Sequence, residues 1–239
     1  MSKLVGDIAV VQATRESAKL EVAEKAYGRL MKDFLSEKRR VRELEEQLEE
    51  AIKQAIYDPL TGLVTRREME RQITLHFASL ERAERMVEKG RAQTAEVEAF
   101  SILFFDLNGL KTVNDMYGHK AGDLLIETFA SALEAHFLRG TDVVCRWGGD
   151  EFLVLLGGVT PREKARKIAD DFLSALSDVV LHFSSSCENN PSGASHSVPV
   201  RVAVGVSSTS DGFRTMETMI AAADTEMYDH KKESGEARQ

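Results

Sequence analysis

The stretch Asp142–Leu156 reads DVVCRWGGDEFLVLL and consists of two apolar runs separated by a Gly-Gly-Asp segment. The runs Asp142–Trp147 and Glu151–Leu156 are short and rich in Val and Leu, which is typical of β-strands. Two glycines between such runs predict a tight turn, because glycine adopts positive φ without a steric cost. The stretch therefore predicts a β-hairpin with acidic side chains at its tip.

Further apolar runs and helical patterns lie on both sides of this hairpin. The run Ala99–Phe105 (AFSILFF) is nearly continuous, which predicts a strand covered on both faces. Helices are predicted at 66–88, through 124–137, at 161–179 and at 214–232, with another strand at 198–207. The order β-α-β-β-α-β predicts an α+β fold, with a palm-like or ferredoxin-like central antiparallel sheet flanked by helices on one face. The polar, turn-rich stretch Ser184–Ser197 predicts a surface loop.

The segment before the globular part predicts a long coiled-coil helix. It contains no proline between Leu20 and Ala55, and mostly apolar residues recur every seven positions in two interleaved series. The first series is Leu20, Tyr27, Phe34, Val41, Leu48 and Ala55, and the second is Ala23, Leu30, Glu37, Leu44 and Ala51. Pro59 disfavours helical geometry in the residue before it, so we predict a stalk over 1–57 and a globular domain over 58–239.

Charges beside the two series indicate how a second copy would pair. Asp33 would face Lys38 of a parallel partner, and Arg40 would face Glu45, so both pairs have opposite sign. Glu37 opposes pairing, because a symmetric dimer sets its two carboxylates against each other in a partly dry seam. The sequence predicts a parallel homodimer, and the alternative is a single amphipathic helix folded onto its own domain.

Composition narrows the class of protein. The chain has 239 residues, of which 43% are hydrophobic, enough for a full core. Its net charge of −8 argues against a general nucleic-acid binder, because neutralising phosphates requires clustered Lys and Arg. The two cysteines have no metal-ligand spacing and form no disulfide framework, which fits a reducing compartment. With no run long enough for a membrane span and no signal-peptide pattern at the start, we expect a soluble, cytoplasmic protein.

Three carboxylates are predicted to converge at one edge of the sheet. Asp106 follows the first strand, and Asp150 and Glu151 occupy the hairpin tip. Like charges a few ångströms apart raise each other's pKa, and a divalent cation relieves that conflict. Few hard oxygen ligands suit Mg²⁺, which leaves positions for water and phosphate oxygens. The cluster predicts metal-dependent phosphoryl or nucleotidyl transfer, and the alternative is that each acid is a solvated turn residue.

The heptapeptide Arg146–Phe152 (RWGGDEF) resembles the GGDEF signature of bacterial diguanylate cyclases, and supporting motifs follow in the family's order. These motifs are Asp58–Leu63 with Arg66-Arg67, Asp106–Lys111, Asn114-Asp115, Tyr117–His119, Gly122-Asp123, Ala223-Asp224, Met227-Tyr228 and Lys231. The resemblance covers about residues 58 to 235 and implies a nucleotidyl-cyclase-like palm. It also implies condensation of two GTP into cyclic di-GMP and two pyrophosphates, between two subunits that each hold one GTP.

The resemblance also implies roles for individual residues. Asp106, Asp150 and the Leu107 carbonyl would hold metal, with two Mg²⁺ per active site or Mn²⁺ in their place. Asp150 would accept the proton of the 3′-hydroxyl, and Glu151 would contribute electrostatically or to the metal. The remaining substrate contacts would be Asn114, His119 and Asp123 at guanine, and Lys111 and Lys231 at the terminal phosphates, with backbone N–H groups around Asn108–Leu110.

Guanine chemistry is compatible with this assignment of Asp123. Guanine presents N1–H and N2–H₂ on one edge, and a carboxylate accepts from both, whereas adenine offers no such pair. The alternatives are a favourable charge near a helix N-terminus for Asp123, a turn residue for Asn114, a surface-loop residue for His119 and a solvated helix end for Lys231.

Upstream of the signature, Arg139-Gly140-Thr141-Asp142 resembles the RxxD inhibitory site of the same family. The resemblance implies that cyclic di-GMP binds Arg139 and Asp142 and restrains the enzyme, and the alternative is a plain turn. Arg146 is expected to be structural or an inhibitor contact. Two other functions remain open, namely a catalytically silent cyclic di-GMP receptor and a coiled-coil scaffold with a merely structural globular end.

Overall fold

The computed structural model describes residues 2–91, 99–159, 161–187 and 190–233. By their internal contacts the residues fall into two units, Met1–Lys53 and Gln54–Gln239. The elements in chain order are α1 (Ser2–Ile56), β1 (Val64–Thr65), α2 (Arg66–Glu88), β2 (Phe100–Leu107), α3 (Leu110–Tyr117), α4 (His119–His136), β3 (Asp142–Arg146), β4 (Glu151–Gly157), α5 (Arg162–Leu176), β5 (Val180–Cys187), β6 (Asn190–Pro199), β7 (Val202–Ser208) and α6 (Met216–Glu233).

Helix α1 confirms the predicted long helix and begins well before Leu20. Most of its large apolar side chains in the two seven-residue series lie in water. Their exposed fractions run from 46% to 68%, for Leu20, Tyr27, Leu30, Phe34, Val41, Leu44 and Leu48. A continuous exposed apolar stripe on one helix is favourable only when another surface covers it.

The main sheet of the globular unit has the strand order β1-β3-β4-β2-β7. Its four long strands are antiparallel neighbours, as predicted. The two-residue strand β1 pairs with β3 in parallel, so the sheet is mixed. Strand β2 continues past the predicted end at Phe105, because its backbone remains paired with β4 and β7 through Asp106.

Helices cover both faces of this sheet, so the expectation of helices on one face is wrong. On one face Phe105 packs with Phe129 of α4 and Phe172 of α5. On the other, Phe104 lies in a second core with side chains of α2 and α6. The nearly continuous apolar run of β2 requires this arrangement, because alternate side chains of a strand point to opposite faces.

The stretch Ser184–Ser197 is not a loop but most of a β-hairpin, formed by β5 and β6. Residues 188–189, which also fall in the predicted loop, lie outside the described residues. Backbone hydrogen bonds hold this two-stranded sheet, so its polar composition did not reveal it. Tyr117 contacts the rings of Phe183 and His196 and joins the hairpin to α3. The strand predicted at 198–207 therefore divides between β6 and β7.

Candidate active site

The acidic tip of the β3–β4 hairpin lies beside the end of β2. Asp106 is the register partner of Glu151, so the two side chains point to the same face of the sheet. The Leu107 N–H donates to the Asp150 carbonyl at 2.8 Å, which fixes the tip against β2. Partial burial raises the pKa of Glu151, and the charges of Asp150, Asp106 and Asp224 raise it further. These four carboxyl groups therefore share one electrostatic environment.

Asp224 is a member of this environment that the site assignment from sequence did not include. It lies on α6 and is exposed, and it lines a cleft of about 400 Å³ together with Glu151. The sequence offered a signal for it, because Ala223-Asp224 is one of the motifs of the resemblance, but no role was assigned to Asp224. The packing of α6 against the face that carries Glu151 gives it a place near the site.

Lys231, also on α6, donates from Nζ to Asp106 Oδ1 at 2.6 Å. Both side chains are largely buried. The resemblance implies a phosphate contact for Lys231, but in this structure the ammonium compensates the charge of Asp106. The same side chain also lines the neighbouring cavity, so both roles share one position.

The donor set at the tip fits magnesium. Among the described residues, no three His, Cys, Asp or Glu side chains are close enough together to form a metal cage. Mg²⁺ does not require such a cage, because proteins bind it through one or two carboxylates and leave other positions to water and substrate phosphates. Asp106, Asp150 and the Leu107 carbonyl provide hard oxygens of this kind on adjacent strands.

A cavity of about 710 Å³ opens beside these carboxylates. Its lining includes Asp150, Lys231 and residues of the β2–α3 turn and of α3, among them Lys111. Gly109 precedes α3 with φ of 76°, a conformation that favours glycine. The Asn108 N–H already donates to the Arg201 carbonyl at 2.9 Å, so the expected phosphate contact from this amide is not available.

The three residues assigned to guanine lie at the α3–α4 junction. Asn114 is packed so tightly against Gly122 that a Cβ at Gly122 would come within 2.0 Å of Asn114 Oδ1. Asp123 follows Gly122 on α4, and both Asp123 and His119 are exposed. Among the described residues, the lining of the 710 Å³ cavity includes none of the three, so a nucleotide would have to extend from that cavity across α3.

Arg146 stabilises the turn of the acidic hairpin. Its guanidinium donates to the carbonyls of Gly148 at 3.2 Å and Gly149 at 2.9 Å, and to Asp58 Oδ1 at 3.1 Å. Burial raises the pKa of Asp58, but hydrogen bonds from Thr61 and Arg146 outweigh it and hold that pKa below its usual value. Arg146 therefore has the structural role expected for it.

The two tip glycines do not have the positive φ that the sequence predicted. The N–H groups of Trp147 and Gly148 both donate to the Glu151 carbonyl, which closes the turn. A Cβ at Gly148 would lie 2.7 Å from Glu151 Oε2, so a larger residue there would displace the end of the Glu151 side chain.

The RxxD segment places one exposed and one buried side chain together. The Arg139 guanidinium is 53% exposed, the Asp142 carboxylate is 2% exposed, and Nη1 and Oδ1 are 3.8 Å apart. Burial raises the pKa of Asp142, although Arg139 partly opposes this. Of the two residues, Arg139 is the one that an incoming ligand reaches first.

Replacing Asp142 by asparagine is expected to raise the melting temperature at pH 7, because it removes a charge that burial disfavours. The penalty is absent below the unfolded pKa, about 3.9, and complete above the raised folded pKa. The stabilisation should therefore disappear as the pH falls to about 4. Thermal unfolding at both pH values measures it, with Asp178→Asn at an exposed position as the control. A variant no more stable than the parent at pH 7 would contradict the expectation.

The globular unit is a palm-like α+β domain with an acidic hairpin tip beside a lysine-lined cavity. The family model described as diguanylate cyclase, GGDEF domain matches residues 55–237. The chain belongs to this family. None of the helices in the described parts of the chain has the length and apolar character needed to cross a membrane.

Several curated relatives and solved structures are similar to this chain. Diguanylate cyclase DgcM of Escherichia coli is 34% identical over 153 residues, which cover 64% of this chain and 32% of DgcM. The response regulator PleD of Caulobacter vibrioides is 29% identical over 204 residues, 84% of this chain and 39% of PleD. The chain thus spans well under half the length of these relatives.

A crystal structure of the coiled coil and GGDEF domain of DgcB from Caulobacter crescentus, in complex with c-di-GMP, has a TM-score of 0.65. It is 20% identical and covers 86% of this chain and 95% of that one. Diguanylate cyclase SiaD of Pseudomonas aeruginosa, solved with its activator SiaC, has a TM-score of 0.56 at 24% identity, over 97% of this chain and 80% of that one. These likenesses show the fold.

Proposed function

We propose that the protein is a diguanylate cyclase, which condenses two GTP molecules into cyclic di-GMP and releases two pyrophosphates. The observation that carries this proposal is the placement of Asp106 opposite Glu151, with the Asp150 carbonyl bound to Leu107, beside a cavity that also holds Lys111 and Lys231. Carboxylates next to lysines suit a polyphosphate substrate that arrives with a divalent cation.

In this mechanism Asp106, Asp150 and the Leu107 carbonyl would hold two Mg²⁺, or Mn²⁺. The bound metal would polarise the phosphate that is attacked and neutralise the leaving pyrophosphate. Asp150 accepts the proton of the 3′-hydroxyl of one GTP. The oxygen of that hydroxyl bonds to the α-phosphorus of the other GTP, and the bond from that phosphorus to pyrophosphate breaks. Glu151 would add negative charge beside the metal ligands or contribute to the metal itself.

Recognition of the nucleotide is divided between two regions. Lys111 and Lys231 attract the terminal phosphates, and Lys231 also donates to Asp106. At the guanine edge Asp123 accepts from N1–H and N2–H₂, and the Asn114 side-chain amide can both donate and accept, with His119 nearby. Gly122 leaves the space that Asn114 needs. Asp123 is exposed in the chain alone, and adenine bound over it would cover the carboxylate without offering the N–H pair that guanine offers, which disfavours adenine.

Two subunits are needed because each supplies one GTP to a shared reaction. The stalk is proposed to hold them together as a parallel coiled coil, since its apolar series is exposed in the single chain. Tethering raises the effective concentration of one active-site face for the other.

Replacing Glu37 by leucine is expected to tighten the dimer at least about tenfold, because an apolar side chain replaces a carboxylate in each half of the seam. Sedimentation equilibrium over a dilution series measures the dissociation constant. Glu46→Leu is the matched control, because Glu46 lies outside both apolar series. An equal effect of the two variants, or none at Glu37, would contradict the proposed seam.

Restraint by the product is a further part of the proposal. Cyclic di-GMP would bind at Arg139, whose guanidinium is exposed and suits a phosphate or a guanine acceptor, and Asp142 would turn out to take guanine's N–H edge. Asp142 has to leave a buried position for this, so the ligand's contacts must compensate the change.

Incubating the purified full chain with GTP and Mg²⁺, and measuring cyclic di-GMP and pyrophosphate, tests the activity. We expect two pyrophosphates per cyclic di-GMP, and less product when cyclic di-GMP is added beforehand. Tight cyclic di-GMP binding without turnover in a dimeric, metal-loaded sample would refute the cyclase and favour a receptor. Mg²⁺-dependent GTP binding by calorimetry separates the cyclase from a scaffold, and absence of both GTP and cyclic di-GMP binding would favour the scaffold.

A further inference from the structure

The geometry points to Arg201 as a third cationic contact for the triphosphate of the GTP bound in the same subunit. This inference rests on the proposed function and names a residue that neither the motifs nor the strand pattern singled out. Arg201 lines the same cavity as Asp150, Lys111 and Lys231.

The backbone fixes Arg201 at the edge of this cavity. It lies in the two-residue connection between β6, which ends at Pro199, and β7, which begins at Val202. Val200 is buried and its N–H donates to the Val179 carbonyl at 3.1 Å. The Arg201 carbonyl accepts from Asn108 N–H at 2.9 Å. Arg201 is thus held directly against the β2–α3 turn, although its side chain remains exposed.

The charges around the cavity favour a phosphate-binding role. Its lining includes the cations Lys111, Arg201 and Lys231 and the anions Asp115 and Asp150. Because Lys231 is bound to Asp106, part of its charge is already compensated. Two lysines alone leave little net positive charge for a triphosphate. A guanidinium adds a permanent charge and a planar pair of donors that matches two phosphate oxygens at once.

The β5–β6 hairpin therefore contributes to the proposed site. Val198, Pro199 and Arg201 form one wall of the cavity, and the Tyr117 ring on α3 contacts His196 of β6. The connection between β6 and β7 carries Arg201 at the cavity edge.

Calorimetry of the full-length protein with Mg²⁺ tests this placement by comparing two nucleotides. One is α,β-methylene GTP, which cannot release pyrophosphate, and the other is GMP. Arg201→Ala is expected to weaken binding of the triphosphate analogue about tenfold or more, the usual effect of losing a charge-assisted contact. Binding of GMP should change less than about twofold, because GMP lacks the β- and γ-phosphates. Arg201→Lys should recover part of the loss.

Arg85→Ala removes the same charge from α2. No described residue of α2 lines this cavity, so both affinities should remain unchanged. If Arg201→Ala weakens both nucleotides equally, or neither, the inference is wrong. If that variant does not fold, the same comparison is made with Arg201→Gln, which keeps a long polar side chain without the charge. If the wild type makes no cyclic di-GMP, but Arg201→Ala still lowers the preference for the triphosphate over GMP, only the proposed activity is refuted. An active wild type with an unchanged preference refutes only the role of Arg201.

Discussion

Replacing Asp150 by alanine or asparagine is expected to lower cyclic di-GMP formation by on the order of a thousandfold, through loss of a metal ligand and of the group that accepts the 3′-hydroxyl proton. The contact that fixes the hairpin tip is made by the Asp150 main-chain carbonyl and survives both substitutions. The loss should therefore report the carboxylate and not a displaced turn. Product formation under saturating GTP and Mg²⁺ measures the effect.

Asp178→Ala provides the control for Asp150, because Asp178 is an exposed aspartate after α5. It should retain wild-type turnover, and all these proteins should have the same melting temperature within about 2 °C. A correctly folded Asp150→Ala protein with more than a tenth of the wild-type rate would mean that another group accepts the proton.

Replacing Gly205 by alanine is expected to destabilise the globular unit by about 3 kcal/mol or more, at the upper end of overpacking costs. A Cβ at Gly205 would lie 1.8 Å from the Ala223 carbonyl oxygen and 2.5 Å from the Met227 backbone nitrogen. Both atoms belong to the backbone of α6, so no side-chain rotation relieves the contact and the helix must move. Because α6 carries Lys231, this movement should also separate Lys231 from Asp106.

Urea unfolding followed by the fluorescence of the single tryptophan, Trp147, measures this effect in the globular unit. Gly140→Ala is the matched control, because a Cβ there meets no atom within 4 Å in the described part of the chain and Gly140 has no positive φ. That variant should unfold within about 0.5 kcal/mol of the wild type. An equally stable Gly205→Ala protein would show that α6 does not lie so close to β7.

Local patterns predicted several elements closely. Helix α2 has the predicted bounds 66–88, and its buried residues Met69, Ile73, Phe77 and Leu80 recur at helical spacing. The hairpin containing Asp150 was also predictable, since two apolar runs around a Gly-Gly turn have few other solutions.

Elements stabilised by long-range pairing were less predictable. The β5–β6 hairpin contains mainly Ser, Asn and Gly, and its hydrogen bonds depend on backbone atoms that every residue shares. The length of β2 was also underestimated, because pairing with β4 and β7 continues past its apolar residues.

By itself the sequence determined the long helix, the antiparallel palm, the acidic hairpin and the resemblance that names the family, because these depend on residue type and on spacing along the chain. Only the tertiary structure decided that Lys231 binds Asp106, that Asp142 is buried and that Arg201 lies beside the β2–α3 turn. Lys231 and Asp106 are far apart in sequence, and so are Arg201 and the β2–α3 turn. The burial of Asp142 depends on the elements that pack around it. Periodicity reports which face of an element is buried, but not which distant residue it meets there.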